Sequence, residues 1–533
     1  MKRYNFLWIL IVLPLIANGQ DSLTHTFQAM DNQLLQSVLQ NDYANQQNLL
    51  FLPINDYTAS SLYYNYEDGD LRAGAIPENI QQVGLTTTGL YHSKQNILFY
   101  GKFKAEKEYY QNLKWDLNGE LYHRGLMPTH QFMTAEKGSD WSNQNYELSG
   151  GMIIPTKNNR WAFSVNGDFK VTNRFRSEYD PRSKVTNNSI VLDLGASYKL
   201  SETSYIKAAG TYGFSHFRNN IKYSNASNNI PYSHDTYIKW MAGYGTLLNY
   251  GGSNSPNSGM TASLSGFNIG YTFQNKTNLI IADIIFANKS EETFDISDIN
   301  PSEKDPVSSY SPTTWRLNTL WLHHASTDKL LKLGLDLSQF DATNFLFDKG
   351  GKNYNAKEKE VKLDLGYFRQ HDNITQWELN AQINLWQVTQ QDVLSTTKSE
   401  LSKLEASVSG SKTFPINENL NIQPSLAAQI STSINSTFFN GNENYLSNIK
   451  EDDYLGQSLK AYYNQIIYHD VDLYSTNTGS LKAGTSFNFY KESDLKTSIK
   501  LHLSYSKALE RIAFSSNDKA HRLFGSVSLN FYY

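Results

Sequence analysis

Cysteine is absent from the 533 residues, which excludes disulfides, thiolate metal sites and a lipid anchor on cysteine. Long apolar runs are nearly absent as well. Beyond residue 20 nothing approaches the ~20 consecutive apolar residues of a membrane-spanning helix. Together with a mean hydropathy of −0.52, this excludes a helical membrane protein. There is little excess charge. Lysine and arginine total 47 and aspartate and glutamate 51, so a formal net charge of −4 gives no reason to expect nucleic acid as a partner. Metal-ligand spacing is missing too. His216, His234, His469 and His502 form no His-x-x-x-His pattern, and His323-His324 reads as the polar flank of a turn. Glu451, Asp452, Asp453, Asp470 and Asp472 lack the periodicity of a calcium loop and read as a solvated acidic stretch. No cofactor, metal or catalytic constellation is therefore expected.

What the chain does have is aromatic residues, 13% of the total with 35 tyrosines, set in strict alternation. The last stretch, LFGSVSLNFYY, places Leu523, Gly525, Val527, Leu529, Phe531 and Tyr533 on one parity and Arg522, Ser526, Ser528 and Asn530 on the other. Successive side chains of a β-strand point to opposite faces, so this strand has one oily and one wet face. The same pattern recurs at Trp377, Leu379, Ala381, Ile383 and Leu385, set against Gln376, Glu378, Asn380, Gln382 and Asn384. A face of continuous hydrocarbon backed by amides and carboxylates suits a wall between lipid and water. The expected fold is an all-β, transmembrane, antiparallel up-and-down barrel over residues 59–533.

Turns set the strand number. Short polar turns near Ser93, Lys157, Glu202, Asn275, Ser326, Asp372, Asn417 and Ser493 alternate with longer connections. Counting strands between them, with an extra first strand at Ser60–Tyr66 to satisfy parity, predicts about 18 strands, or about 16 if one weak pair fails. About nine outer loops follow from that count. Three are long, at 107–143, 216–260 and 436–478, and loops beyond ~15 residues are usually functional or disordered. The second and third carry Trp240, Tyr244, Tyr250, Tyr462 and Tyr463 as candidate ligand-stacking residues, with loop self-packing or an aromatic girdle as the alternative. By parity the lumen receives Lys102, Lys104, Asp168, Lys170, Arg316, Asp336, Lys362, Glu378 and Lys500 among others. Their near-balanced signs predict weak ion selectivity or internal salt bridges.

The N-terminus adds two segments. Lys2 and Arg3 precede the apolar run Phe6–Ile16 and the small residues Ala17-Asn18-Gly19, the layout of a Sec-type signal peptide over residues 1–19. In residues 20–58, Phe27, Met30, Leu34 and Val38 recur at helical spacing, so a short amphipathic helix is expected, on the barrel rim or as a plug.

The signal peptide ending Ala17–Gln20, the stretch YNYEDGDLRAG at Tyr64–Gly74 and the LFGSVSLNFYY ending together resemble an uncharacterised family of outer-membrane β-barrels from Bacteroidota, a domain of unknown function. The resemblance covers nearly the whole mature chain and implies the outer membrane of a diderm bacterium, outer-membrane lipids as surroundings, and an accessory role beside TonB-dependent uptake. A TonB-dependent receptor itself resembles a larger barrel with a folded plug domain, for which the residues before the first strand are too few. Three functions are carried forward: a channel or accessory component for small-solute uptake, a closed structural or surface-interaction barrel whose loops bind a partner protein, and a rim-sited hydrolase. The channel leads and the enzyme comes last.

Overall fold

A computed structural model describes residues 46–51, 56–121, 132–177, 179–223, 238–249, 257–296, 304–326, 328–371, 374–491, 494–510 and 520–533. The signal peptide, the helical periodicity at residues 27–38, His234 and Tyr250 lie outside the described residues.

Eighteen antiparallel strands form one closed barrel. In chain order they are Tyr57–Gly69 (β1), Asn79–His92 (β2), Leu98–Leu113 (β3), Ser139–Pro155 (β4), Trp161–Arg176 (β5), Arg182–Ser201 (β6), Ser204–Lys222 (β7), Asn257–Gln274 (β8) and Asn278–Ile296 (β9). Lys304–Ser326 (β10), Lys329–Leu346 (β11), Gly351–His371 (β12), Ile374–Asp392 (β13), Thr397–Lys412 (β14), Leu420–Asn440 (β15), Thr478–Lys491 (β16), Asp494–Ala508 (β17) and His521–Tyr532 (β18) complete it. A short segment, Phe414–Asn417, continues the line of β14 along β15. Each strand pairs with its neighbour in sequence, and β18 pairs with β1 in a register that sets Leu62 opposite Leu529 and Tyr64 opposite Val527. Closure leaves no edge with unpaired backbone groups, the condition for a sheet to sit in lipid.

Alternation fixes which face is which. Large apolar side chains stand bare on the outside, Leu194 and Leu426 each 65% exposed, while the neighbouring Asp193 and Ser197 are buried within. Outward hydrocarbon and inward polarity fit a transmembrane barrel.

Six of the eight short-turn positions, Ser93, Lys157, Glu202, Asn275, Ser326 and Asn417, fall at or between the ends of consecutive strands, and Asp372 and Ser493 lie outside the described residues. Asparagines shape several of them. Asn96 and Asn159 take positive φ, and the Asn275 carboxamide accepts the backbone N–H groups of Thr277 and Asn278 at 2.9 and 2.8 Å, the local hydrogen bonding that makes asparagine a turn residue. This is the turn end of the barrel. The nine connections at the opposite, loop end bound longer strands than the sequence suggests. The three long loops shrink to residues 114–138, 223–256 and 441–477. The reason is physical: β10 has 23 residues and β12 has 21, against ~9–11 needed to cross a bilayer. The surplus stands in water on both sides, so hydrophobic alternation fades while the ladder continues.

The loop 441–477 is also not irregular. It holds helix α1 (Glu443–Ser447) and a 22-residue helix, α2 (454–475), with a π-helical turn at Tyr463–Ile467. Three further short strands, Phe132–Thr134, Lys239–Met241 and Leu247–Asn249, pair with one another apart from the barrel wall.

Candidate functional site: a charge-paired lumen between two packed ends

At the turn end the chain enters the barrel before it becomes part of the wall. Residues Gln46–Leu50 form a 3-10 turn inside it. Leu49 and Phe51 join a buried cluster with the inward residues Leu90, Leu98, Tyr100, Ile153 and Phe368, and the Phe51 ring lies 4.7 Å from that of Tyr205. Polar contacts fix the segment. Gln47 Nε2 donates to Ser164 Oγ at 3.3 Å, and Asn48 Nδ2 donates to Asp283 Oδ2 at 2.7 Å. Lys207 Nζ donates to Asn48 Oδ1 and lies 3.2 Å from Asp283 Oδ1. A buried ion pair is sound only when its remaining hydrogen-bonding capacity is met. Asn48 meets part of it here, using both ends of its carboxamide. Residues 46–51 thus sit within the lumen rather than on the rim.

At the loop end the long connections turn inward and build a second core. Trp115, Met241, Tyr244, Tyr462, Tyr463, Ile466 and Ile467 pack with the inward wall residues Tyr310, Tyr354, Trp386, Val388 and Leu401. Trp115 and Tyr462 rings are 5.3 Å apart, and the Tyr462 hydroxyl donates to Met241 Sδ at 3.2 Å. Gln465 ties its own loop to both ends of the 114–138 loop, accepting from Trp115 Nε1 at 3.0 Å and donating to Glu136 Oε1 at 3.1 Å. Asp470 accepts the Gly74 N–H at 2.7 Å, and Asp453 caps α2 by accepting the Gly456 N–H at 2.9 Å. Trp240 is buried with Leu117, Met133, Ile221 and Ile238. Among the described residues, the aromatic side chains picked out as stacking platforms have no open faces. Trp240, Tyr244, Tyr462 and Tyr463 are buried against other side chains, where an aromatic-rich loop that folds into a lumen finds its stacking partners.

One segment of this cap is laid directly on the wall. Asn219 Nδ2 donates to the Leu117 carbonyl at 2.7 Å, and the Arg174 guanidinium donates to the Asn118 carbonyl at 3.2 Å and to Glu120 Oε1 at 2.9 Å. Asp116 closes a turn by accepting the N–H groups of Asn118 and Gly119. Burial pushes its carboxyl up to about 7, the two backbone donors opposing the shift. Gly119 has φ +67°, and a Cβ there would come within 2.9 Å of the Trp141 ring.

Between the two cores the lumen is lined by matched charges. Lys102 Nζ is 3.0 Å from Glu147 Oε1, and Lys170 stands opposite Glu147 across β4 and β5. Lys104 Nζ is 2.9 Å from Glu106 Oε1, whose other oxygen accepts the Tyr63 hydroxyl at 2.6 Å. Asp168 Oδ2 accepts from Asn166 at 2.8 Å, and Glu378 Oε1 accepts from Asn380 at 2.8 Å. Arg316 lies 3.6 Å from Asp336, and Lys362 lies 3.9 Å from Asp364. Lys500, opposite Ser486 and Ser528, has the inward parity. These nine residues line different arcs of one wall rather than converging on a point.

Sequence reasoning missed Gln47, Asn48 and the Trp115–Glu120 segment. A signal existed for the first: Gln46-Gln47-Asn48 followed by Leu49-Leu50-Phe51 is a polar hook joined to an apolar anchor. For α2, Leu455, Leu459, Tyr462, Tyr463 and Ile466 recur at helical spacing.

A family model described as "Family of unknown function (DUF6850)" matches residues 46–533. The chain belongs to that family. Its match begins where the lumenal turn begins, so the residues 46–51 and the barrel fall within one family unit. Among curated proteins none matches the sequence. Similar solved structures include BauA, the ferric preacinetobactin receptor from Acinetobacter baumannii, at 8% identity, covering 90% of this chain and 80% of that one with a TM-score of 0.36. The copper transporter OprC shows 9% identity over 90% and 80% of the two chains, TM-score 0.38. The monoaromatic hydrocarbon channel CymD shows 9% identity over 96% and 95%, TM-score 0.29. Such figures carry no function from those proteins to this chain.

Proposed function

We propose that the chain is a gated outer-membrane barrel acting as a channel, or as an accessory component, for the uptake of small solutes. The observation that carries this reading is the charge-paired middle of the lumen held between two packed ends. A barrel serving only as a rigid support has no need of an aqueous middle, and an open pore has no need of two cores. In this reading the turn end faces the periplasm of a diderm bacterium, reached by Sec-type export, and the loop end faces outward. Residues 46–51 and the cap around Tyr462 act as two barriers in series. Linkage to a TonB-dependent system and a Bacteroidota source, implied by the sequence resemblance, belong to the same reading. No catalytic step is assigned. Turnover of ester or peptide substrates by folded protein would overturn that.

The test is single-channel conductance in planar bilayers. It compares the mature chain, a chain lacking residues 21–51, a chain with Tyr462→Ala and Tyr463→Ala, and the combination. Barriers in series predict silence from the first and discrete steps from the combination, with small or rare openings from either single change. Steady conductance from the intact chain removes the gating. Silence from the combination, in protein shown to be folded by heat-modifiable mobility, removes the channel and leaves a closed barrel whose loops are the functional surface.

A further inference from the structure

The lipid-facing hydrocarbon of the wall has a visible upper limit. On β13 the outward positions Trp377, Leu379, Ala381, Ile383 and Leu385 are apolar, and the next three, Gln387, Thr389 and Gln391, are polar. On β14, moving the same way, Val408 and Leu404 give way to Ser402, Glu400 and Lys398. A polar collar therefore ends the membrane belt on this side of the barrel. Above it the outer surface becomes apolar again. Val393 and Leu394 on the β13–β14 hairpin tip, Phe439 at the end of β15, Tyr445 on α1, and Tyr454 and Leu455 at the start of α2 are between 45% and 61% exposed.

These residues form one crest. Phe439 stands opposite Lys398 at the start of β14. The Gly441 N–H donates to the Thr396 carbonyl at 3.0 Å, and Asn442 Nδ2 donates to the Ser395 carbonyl at 2.8 Å, so α1 is fastened to the hairpin that carries Val393 and Leu394. The contact at Gly441 is close enough that a Cβ would meet Thr396 Cβ at 2.7 Å. The crest is also rigidly mounted, because α2 continues from Tyr454 and Leu455 directly into the buried Tyr462 and Tyr463. Water-exposed apolar surface held rigid above the membrane belt marks an interaction site, since a surface with no partner gains nothing from it.

Charge and shape narrow the partner. Glu443, Glu451, Asp452 and Asp453 flank the crest against Lys398 and Lys450, so its rim is net acidic. A second copy of this chain would set acidic rim against acidic rim, and membrane lipid is kept below by the collar. The crest also projects from hairpin tips instead of enclosing a pocket, which suits a protein surface rather than a small solute. We propose that this crest docks an extracellular protein or peptide whose contact face is apolar with a basic rim. The docking is independent of whether the barrel conducts.

The probe is a random-peptide phage library panned on the full mature barrel in nanodiscs, with empty nanodiscs as the counter-selection. The expected result is enrichment of peptides combining aromatic or aliphatic residues with lysine or arginine. A selected peptide should bind at least tenfold more weakly to the Val393→Ser, Leu394→Ser, Phe439→Ser variant and to the Glu443→Lys, Glu451→Lys, Asp452→Lys variant, and more weakly still as salt rises. The charge variant leaves the apolar residues in place, so a loss shared by both cannot be put down to a disrupted crest fold. No enrichment over empty nanodiscs, an acidic consensus, binding unchanged in either variant, or crest-dependent self-association in analytical ultracentrifugation overturns the proposal. None of those results bears on conductance.

Discussion

Asp116 shows how one side chain couples the cap to pH. Its carboxyl lies buried in the turn 116–119 and is raised from 3.8 to about 7 by burial. A raised carboxyl means that the folded state holds its proton more tightly than the unfolded chain, so the stability it contributes is fully present below about 4 and is lost as pH rises to about 7. The protection of amides 114–121, taken relative to the intrinsic base-catalysed exchange rate, should therefore fall between those limits and level off above. Asp116→Asn keeps an acceptor for the Asn118 and Gly119 N–H groups and cannot ionise, so the protection should become flat across the same window. A persisting slope would assign the effect to another group. Asn48 offers a contrasting case at the other end. Asn48→Ala removes a donor and an acceptor from the buried Lys207–Asp283 pair, and an incompletely satisfied buried pair is costly. Residues 46–51 should dock less firmly, by about 1–3 kcal/mol, which limited proteolysis of the folded barrel reads as faster cleavage before β1.

Among the elements, α2 holds the loop-end core together, and its fit is tight where Gly74 passes it. A Cβ on Gly74 would lie 2.1 Å from the Gln465 carbonyl oxygen, and backbone on backbone leaves no flexible side chain to yield. Gly74→Ala should displace the 70–78 connection or the π-turn, breaking the Asp470 contact. Cap amides should then exchange faster while barrel amides do not. Tyr462→Ala removes a fully buried ring, at a cost of about 3–5 kcal/mol by analogy with other large-to-small core changes, and should free the cap in the same way. These elements also mark where the sequence was readable. Trp377–Leu385 announced a strand because lipid and water lie on its two sides and force alternation. Gln387–Asp392 continues the same strand in water, where neither side demands hydrocarbon, and the pattern stops before the hydrogen bonds do. The cap was illegible for the opposite reason. Tyr462 and Tyr463 carry the composition of a binding surface and of a core alike, and only the inward path of their loop decides between them. The Lys207–Asp283 pair could be placed inside by parity, but its partner Asn48 lies 159 residues from Lys207, a distance no local pattern encodes.

For the whole molecule the governing feature is that charge is cancelled locally around the lumen. Lys102 with Glu147, Lys104 with Glu106, and Arg316 with Asp336 each join opposite signs within 4 Å, so these arcs of the wall project no strong field of one sign into the water. If the opened barrel conducts, its reversal potential under a salt gradient should lie near zero, with cation and anion permeabilities within a few-fold of each other. Lys102→Glu changes the lining by two charges and sets two carboxylates side by side with Glu147. The reversal potential should then move toward the cation value, and the shift should shrink in high salt as the Debye length falls from about 10 Å at 0.1 M to about 3 Å at 1 M. Ser486→Glu on β16, opposite the inward Lys500 on β17, is the counterpart test at a site that begins with one positive charge and gains its opposite. There the selectivity should barely move. A large shift at both sites, or at neither, would mean that the conducting path does not follow this wall, and that the paired charges serve the packing of the barrel and not the passage through it.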